Sequence, residues 1–589
     1  LKSKQQRRKG PSANLQPQPR KPLSRGRLWL FRLLALALPL IGLGLLEIIL
    51  RLAGYGYPTT FFAEVRGADG KTHLIDNASF SLRFFPPQLA RWPGTFKIAA
   101  AKPPNVRRIF IFGESAAMGD PQPPYGPSRC MEVLLRERFP KEKFEVINLG
   151  ITAINSHVIL PIARDCAARG DGDVWLIYMG NNEMVGPFGA ATVFGSRAPP
   201  LGAVRFNLAL QRTRVGQLAV SGMRNLGGKP KNTSWGGMQM FLENQIPPDD
   251  SRRETVYKNF TGNLRDIVRS GLGTRAKIVL STMSVNLRDC PPFGSLSNSN
   301  LPAAELVRFG ELLAKARNLE TNGHGIEAGR LLEQAVQIDP RFAEAQFRWA
   351  ECLMRQSNAV AAREHFQLAC DNDALPFRAD TRINQAIREL AAQRAGPELL
   401  LCDAEAALAQ AGAAGIAGGE SFFEHVHFSF AGNYRLGRLW AEHVVNVLKL
   451  PTNSAPPWLA QSACEDSLGL TDWNRLFVIH AVIRRLNNPP LSRQFNNAAR
   501  LHQAQAEEER LSRNNAEPGA AQRAGDILNA AIRRAPEDVF LYEGAANALE
   551  ATAHEDQAIA AYREQIKRMP HDFYANLQIG RLLGERGKP

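Results

Sequence analysis

From residue 107 to residue 403, short apolar runs ending in glycine or polar turns alternate with amphipathic stretches. Such alternation restricts this part of the chain to a mostly parallel sheet covered by helices on both faces. The runs are IFIF (109–112), FEVINLG (144–150), DVWLIYMGNNE (173–183), AKIVLSTM (276–283) and ELLLCD (398–403), which predict five strands. Amphipathic stretches at 128–139, 157–170 and 253–271 supply the helices between them. Residues 184–250 are Gly-rich and read as irregular.

Between the fourth and fifth runs the periodicity changes. Gly323, Ala328, Leu332 and Ala335, then Pro340, then Trp349-Ala350, Leu353, Ala362, Phe366 and Ala369 follow the small and large positions of tetratricopeptide (TPR) repeats. The C-terminal part repeats the spacing. Pro536 and Pro570 are 34 residues apart, the TPR period, and Tyr542, Ala545-Ala546, Leu549, Ala558 and Tyr562 fall between them. Paired helices packed through such small residues stack into a surface for protein partners. A third unit starts at Phe573, and Pro589 falls inside it; with Leu1 in place of Met, both ends are expected to be cut.

The apolar stretch from Leu28 to Leu52 is 25 residues long, enough to cross a bilayer. It follows a basic arm. Residues 1–32 hold ten Lys or Arg and no acid, and without them the net charge of +16 falls to +6. No small-x-small cleavage site follows, and Tyr55-Gly56-Tyr57 suits a membrane interface, so an uncleaved signal anchor with the arm inside is expected. The basic charge comes with no nucleic-acid motif, so no nucleic-acid partner is expected. Seven scattered cysteines without a CxxC pair form neither a zinc signature nor a disulfide framework.

Gly113-Glu114-Ser115 closes the first apolar run, where open α/β sheets place their ligands. Serine is also an ordinary turn residue, so Ser115 needs a base, a carboxylate and oxyanion donors to act as a nucleophile. Gly150 at the end of the second strand offers an unhindered N–H, and Asn182 in Gly180-Asn181-Asn182-Glu183 offers a side-chain amide. Glu424 precedes His427 by three residues, just before a helix that starts near Ser429. His425-x-His427 has metal-ligand spacing, but no second cluster completes a site, so no metal is expected.

In order and spacing these four blocks resemble the SGNH hydrolases, the GDSL-type esterases and lipases. Gly113-Glu114-Ser115 stands for Gly-Asp-Ser, Gly150 for the second-block glycine, Gly180-Asn181-Asn182-Glu183 for Gly-x-Asn-Asp, and Glu424-His425-Val426-His427 for Asp-x-x-His. The resemblance covers roughly 105–300 and 377–450. It implies a three-layer α/β fold with a parallel five-stranded sheet and hydrolysis of acyl esters, of lipid or acylated carbohydrate, without a cofactor. By the same resemblance Ser115 is the nucleophile, His427 the general base and Glu424 its orienting carboxylate, in place of the usual aspartate. Ser115, Gly150 and Asn182 would form the oxyanion hole.

The expected organisation is a basic cytoplasmic arm (1–27), a transmembrane anchor (28–53), an irregular linker (54–104), a hydrolase domain in two parts (105–300 and 377–450) around a TPR-like insertion (301–376), a helical linker (451–510) and C-terminal TPR-like repeats (511–589). A single-pass protein of a bacterial inner membrane, with its catalytic domain periplasmic or otherwise extracytoplasmic, fits this order. The competing expectation is a TPR assembly scaffold whose SGNH domain binds a ligand without turning it over.

Overall fold

The computed structural model describes residues 24–67, 69–169, 171–226, 234–394 and 396–587, excepting the side chains of 225 and 226. The basic arm up to residue 23 lies outside the described residues. The chain divides into two units, one formed by residues 1–57 with 209–228 and the other by 58–208 with 229–589.

The smaller unit is built on the helix Arg25–Leu52, in which no residue is buried. Its most apolar 18-residue window has a mean hydropathy of 2.5. A second helix, Arg214–Leu226, stands where the sequence suggested irregular chain. Its first turn is held by Glu47, whose carboxylate accepts the Val215 N–H at 2.9 Å. Thr213 caps the helix, its Oγ1 accepting the Gly216 N–H at 3.0 Å, and Glu47, 168 positions earlier, takes a further N–H of the first turn.

In the larger unit the strands are β1 (Phe62–Arg66), β2 (Thr72–Asp76), β3 (Lys97–Ala99), β4 (Val106–Gly113), β5 (Lys143–Asn148), β6 (Val174–Tyr178), β7 (Lys277–Ser281) and β8 (Leu399–Cys402). β1 to β3 form an antiparallel sheet in the segment expected to be an irregular linker. Its strands Phe62–Arg66 (FAEVR) and Thr72–Asp76 (THLID) neither alternate apolar and polar residues nor form an unbroken apolar run, so neither strand pattern registers. Buried Phe61, Phe62, Leu74 and Phe80 join the sheet to the main core, and Asp165 accepts the Phe61 N–H.

The remaining five strands form a parallel sheet in the order β5-β4-β6-β7-β8. Ile109 to Phe112 of β4 are buried on both faces, as their unbroken apolar run requires. Trp175 and Tyr178 of β6, three residues apart, face opposite layers. A side chain at Gly271 of the helix Ser251–Gly273 would meet the Trp175 ring, whereas Tyr178 lies edge-on to Trp440 of the helix Phe430–Leu448, ring centres 5.4 Å apart. The latter helix crosses Pro127–Arg138 at Gly437, where a Cβ would stand 2.5 Å from the Pro127 carbonyl. The region 184–250 also contains the helix Leu201–Leu210, again a departure from the irregular expectation.

Between β7 and β8 lie two antiparallel helical hairpins, Ala303–Thr321 with Gly325–Ile338 and Ala343–Arg355 with Ala359–Asp371. Ala520–Arg534, Val539–Ala551, Glu555–Arg568 and Phe573–Glu585 continue the pattern at the C-terminal end. These are TPR-like repeats. They fold back on the α/β part through the Arg129–Asp538 ion pair and a 3.1 Å contact between His571 Nε2 and Asp76. All seven cysteines are free and buried.

Ala350, Ala362, Ala546 and Ala558 are 0% exposed, so their small size sets how closely the paired helices approach. Ala362→Leu and Ala558→Leu are each expected to destabilise the fold by about 1–3 kcal/mol through overpacking. Thermal melting checks this, and two unchanged midpoints would refute the proposed packing register.

Candidate active site

The order of the sheet places a crevice at the C-terminal ends of β4 and β6, because the chain runs outward from β4 to β5 and then returns across it to β6. β4 stops at Gly113, paired with Tyr178, the last residue of β6. A Cβ at Gly113 would lie 2.5 Å from the Tyr178 carbonyl, so only glycine lets the chain turn here. The four-residue helix Ser115–Met118 follows, and Gly119 ends it at φ 94°. Ser115 is its first residue, where backbone N–H groups have no intrahelical acceptor.

Glu114 points the other way and fastens the two loops together. Its carboxyl accepts the backbone N–H groups of Gly180 (3.2 Å), Asn181 (2.9 Å) and Asn182 (3.3 Å). Burial, and then the neighbouring Glu183, push its pKa well above the usual carboxylate range. Glu183 accepts both the backbone N–H and the hydroxyl of Ser156 at 2.8 Å, and burial raises its pKa to about 7. Both glutamates thus hold the framework of the site.

The histidine arrives from the loop after β8. Ser429 caps the helix Phe430–Leu448 by accepting the Gly432 N–H at 3.1 Å. Just before this cap, Asn286 donates its amide to the Glu424 carbonyl at 2.7 Å and its backbone N–H to the His425 carbonyl at 2.9 Å. His427 is thereby set with Nε2 2.9 Å from Ser115 Oγ, and its Nδ1 hydrogen-bonds to Glu424 Oε1. Burial alone would raise the Glu424 pKa, but His427 and His425 beside it hold the carboxylate well below its usual range.

Ser115 and the Glu424–His427 pair, 312 residues apart in sequence by Ser115 to His427, are therefore brought together. Asn182 lies on the wall of the same cavity, of about 730 Å³. Gly150 is placed differently. Its N–H is taken by its neighbour Asn148, Oδ1 at 2.9 Å, and it does not line the cavity. Asn148 also donates to the carbonyl of Ala117 and the hydroxyl of Ser128, so this side chain is fixed. Gly150 thus departs from the expectation of a free oxyanion donor. The ligating atoms of Glu424, His425 and His427 lie within 4.8 Å of one another. In this cluster Glu424 and His427 are already committed to each other and, through Nε2, to Ser115.

Two charged residues at the site escaped the sequence reading. Asp120 Oδ2 lies 3.2 Å from His427 Nε2. Arg485 grips both Asp120 oxygens at 2.8 and 2.7 Å, and its other terminal nitrogen lies 3.1 Å from Glu424 Oε1 and from His427 Nδ1. Burial raises the Asp120 pKa, but Arg485, followed by His427, more than reverses this and leaves it lowered. Asp120 is only five residues beyond Ser115, on the same turn. Arg485 comes from the helix Asp472–Leu486, in a stretch read as a linker. Phe477, Ala481, Arg484 and Arg485 all line the cavity, and their spacing is one face of that helix. That stripe was the available signal.

No protein-family model matches this chain, and no curated protein matches it. Among solved structures it is similar to the assembly chaperone of RpL4 (Acl4, residues 1–338), at 17% identity over 47% of this chain and 84% of that one, with a TM-score of 0.14. The human IFIT1 dimer with PPP-AAAA is 15% identical over 51% of this chain and 72% of that one, TM-score 0.13. The P58(IPK) TPR domain is 12% identical over 66% of this chain and 93% of that one, TM-score 0.12.

Proposed function

We propose that this chain is a serine esterase of the SGNH type, held at a membrane by its N-terminal apolar helix, with TPR-like repeats for protein contacts. One observation carries the catalytic reading. The Ser115 hydroxyl, the His427 imidazole and the Glu424 carboxylate form a continuous hydrogen-bonded chain at the floor of a cavity. A serine hydroxyl is a weak nucleophile until a base removes its proton as it attacks. Here His427 Nε2 takes that proton while Ser115 Oγ bonds to the acyl carbon. Glu424 stabilises the resulting imidazolium, which then protonates the departing alkoxide. Water, activated by the same imidazole, releases the acid. The Asn182 amide and the Ser115 N–H serve the tetrahedral oxyanion.

The test is covalent labelling of the whole chain by a fluorophosphonate, which requires an activated serine. Wild-type protein takes up one label and Ser115→Ala takes up none. Equal labelling of both, or of neither, overturns the reading.

A second reading, an interaction scaffold, draws on the repeats. Paired helices of this kind stack into a surface that can receive a protein partner. The two readings are compatible in one chain. The membrane reading rests on the apolar helix Arg25–Leu52. Protease added to spheroplasts is expected to digest the chain from about residue 55 onward, while a cytosolic, protected chain would refute the anchor.

A further inference from the structure

The charges around the cavity do not balance. Its ionisable lining consists of Arg91, Arg484 and Arg485 facing Asp120 and Glu424, besides His425 and His427. Arg485 is paired with both carboxylates, bridging Asp120 to Glu424. That leaves Arg91 and Arg484, neither of which has an ion-pair partner among the described residues. Arg91 lies over the Trp235 ring, 4.3 Å from its centre, and its Nε is buried without a hydrogen-bond partner. Burial lowers the Arg91 pKa, and Asp120 only partly offsets this, as expected of a guanidinium that lacks its own counterion. Arg484 follows the same helix face as Phe477 and Ala481 and is exposed at the cavity.

The uncharged lining narrows the ligand further. Phe194, Trp235, Phe241, Phe377 and Phe477 give flat aromatic faces, and Thr152, Asn182, Gln239 and Asn488 give polar atoms. Val185, Met238 and Leu491 add larger non-aromatic apolar side chains to this lining. A guanidinium presents a planar fork of donors matched to carboxylate or phosphate, and an aromatic face behind it holds that plane in place.

Accepting the esterase reading, we propose that the substrate is an ester whose alcohol part carries an anionic group, carboxylate or phosphate, bound by Arg91 and Arg484. The acyl group then sits at Ser115, and the charge sits at Arg91 and Arg484, the two guanidinium groups of the lining without an ion-pair partner among the described residues.

The test compares whole-chain protein on 4-acetoxybenzoate, 4-acetoxyphenyl phosphate and the neutral methyl 4-acetoxybenzoate. The readout is the ratio of kcat/KM for each anionic ester to that for the neutral one. Charge-assisted hydrogen bonds of this kind are worth about tenfold or more each, so Arg91→Gln and Arg484→Gln should each lower the ratio by about tenfold. Whichever anion loses more identifies the group. In parallel, Ser115→Ala protein is titrated calorimetrically with 4-acetoxybenzoate and with 4-acetoxyphenyl phosphate, and saturable binding of one of them should be lost in the double variants that also carry Arg91→Gln or Arg484→Gln. Hydrolysis with ratios unchanged by both arginine substitutions overturns the anionic subsite and leaves the esterase. Arginine-dependent binding with no hydrolysis of any ester overturns the esterase and leaves the subsite. Neither hydrolysis nor binding overturns both.

Discussion

Ser115→Ala is expected to lower kcat for 4-nitrophenyl acetate by about 10⁶-fold, and His427→Ala by a similar factor. Each removes one end of the proton transfer between Ser115 Oγ and His427 Nε2, atoms 2.9 Å apart. Without the imidazole the hydroxyl must attack with its proton in place; without the hydroxyl no acyl-enzyme forms. Because both act in one step, the double substitution should be hardly worse than either alone, whereas independent contributions would multiply. Folding should survive, since the loop is also fixed by Asn286 on the Glu424 carbonyl, and Ser115 is the first residue of a short turn. Circular dichroism and melting curves check this. Wild-type turnover in Ser115→Ala would refute the mechanism and leave the scaffold reading.

The parallel sheet was legible in the sequence because strands buried on both faces must be apolar throughout, and Ile109 to Phe112 and Val174 to Tyr178 show this directly. The repeats were legible because their contacts are local. Ala350 meets a helix that begins within ten residues of it, so a fixed period records the packing. Ser115, Asn182 and His427 were legible as strand-end and loop residues, whose positions follow from the topology. Longer-range effects left no such trace. Gly150 looked like a free donor because nothing in Asn148-Leu149-Gly150 shows that the asparagine turns back onto the glycine N–H. Arg485 reaches Asp120 across 365 residues, and neither residue type nor spacing announces a pairing at that separation. β1 and β2 were lost because FAEVR and THLID carry neither an alternation nor an unbroken apolar run.

Glu424→Gln is expected to lower kcat by up to about 10⁴-fold, the loss seen when a serine-triad carboxylate becomes an amide. The surroundings of His427 make the large value the expected one. With Glu424 in place, its carboxylate accepts the proton on Nδ1 and leaves the Nε2 lone pair for Ser115. An amide at this position can donate to Nδ1, which moves the proton to Nε2. There Asp120 Oδ2, 3.2 Å away and kept ionised by Arg485, accepts it. The imidazole is then held in the tautomer that cannot act as a base. If this competition is real, adding Asp120→Asn to the Glu424→Gln protein removes the charged acceptor and should restore kcat by about tenfold, within the range of coupling found between contacting residues. Asp120→Asn in the wild-type background has no wrong tautomer to relieve and should give no such gain. Steady-state kinetics of the four proteins form the cycle. A Glu424→Gln loss of only about tenfold would mean that Ser115 and His427 work as a pair which the longer carboxylate merely assists, and additive effects of the two substitutions would remove Asp120 from the tautomer balance.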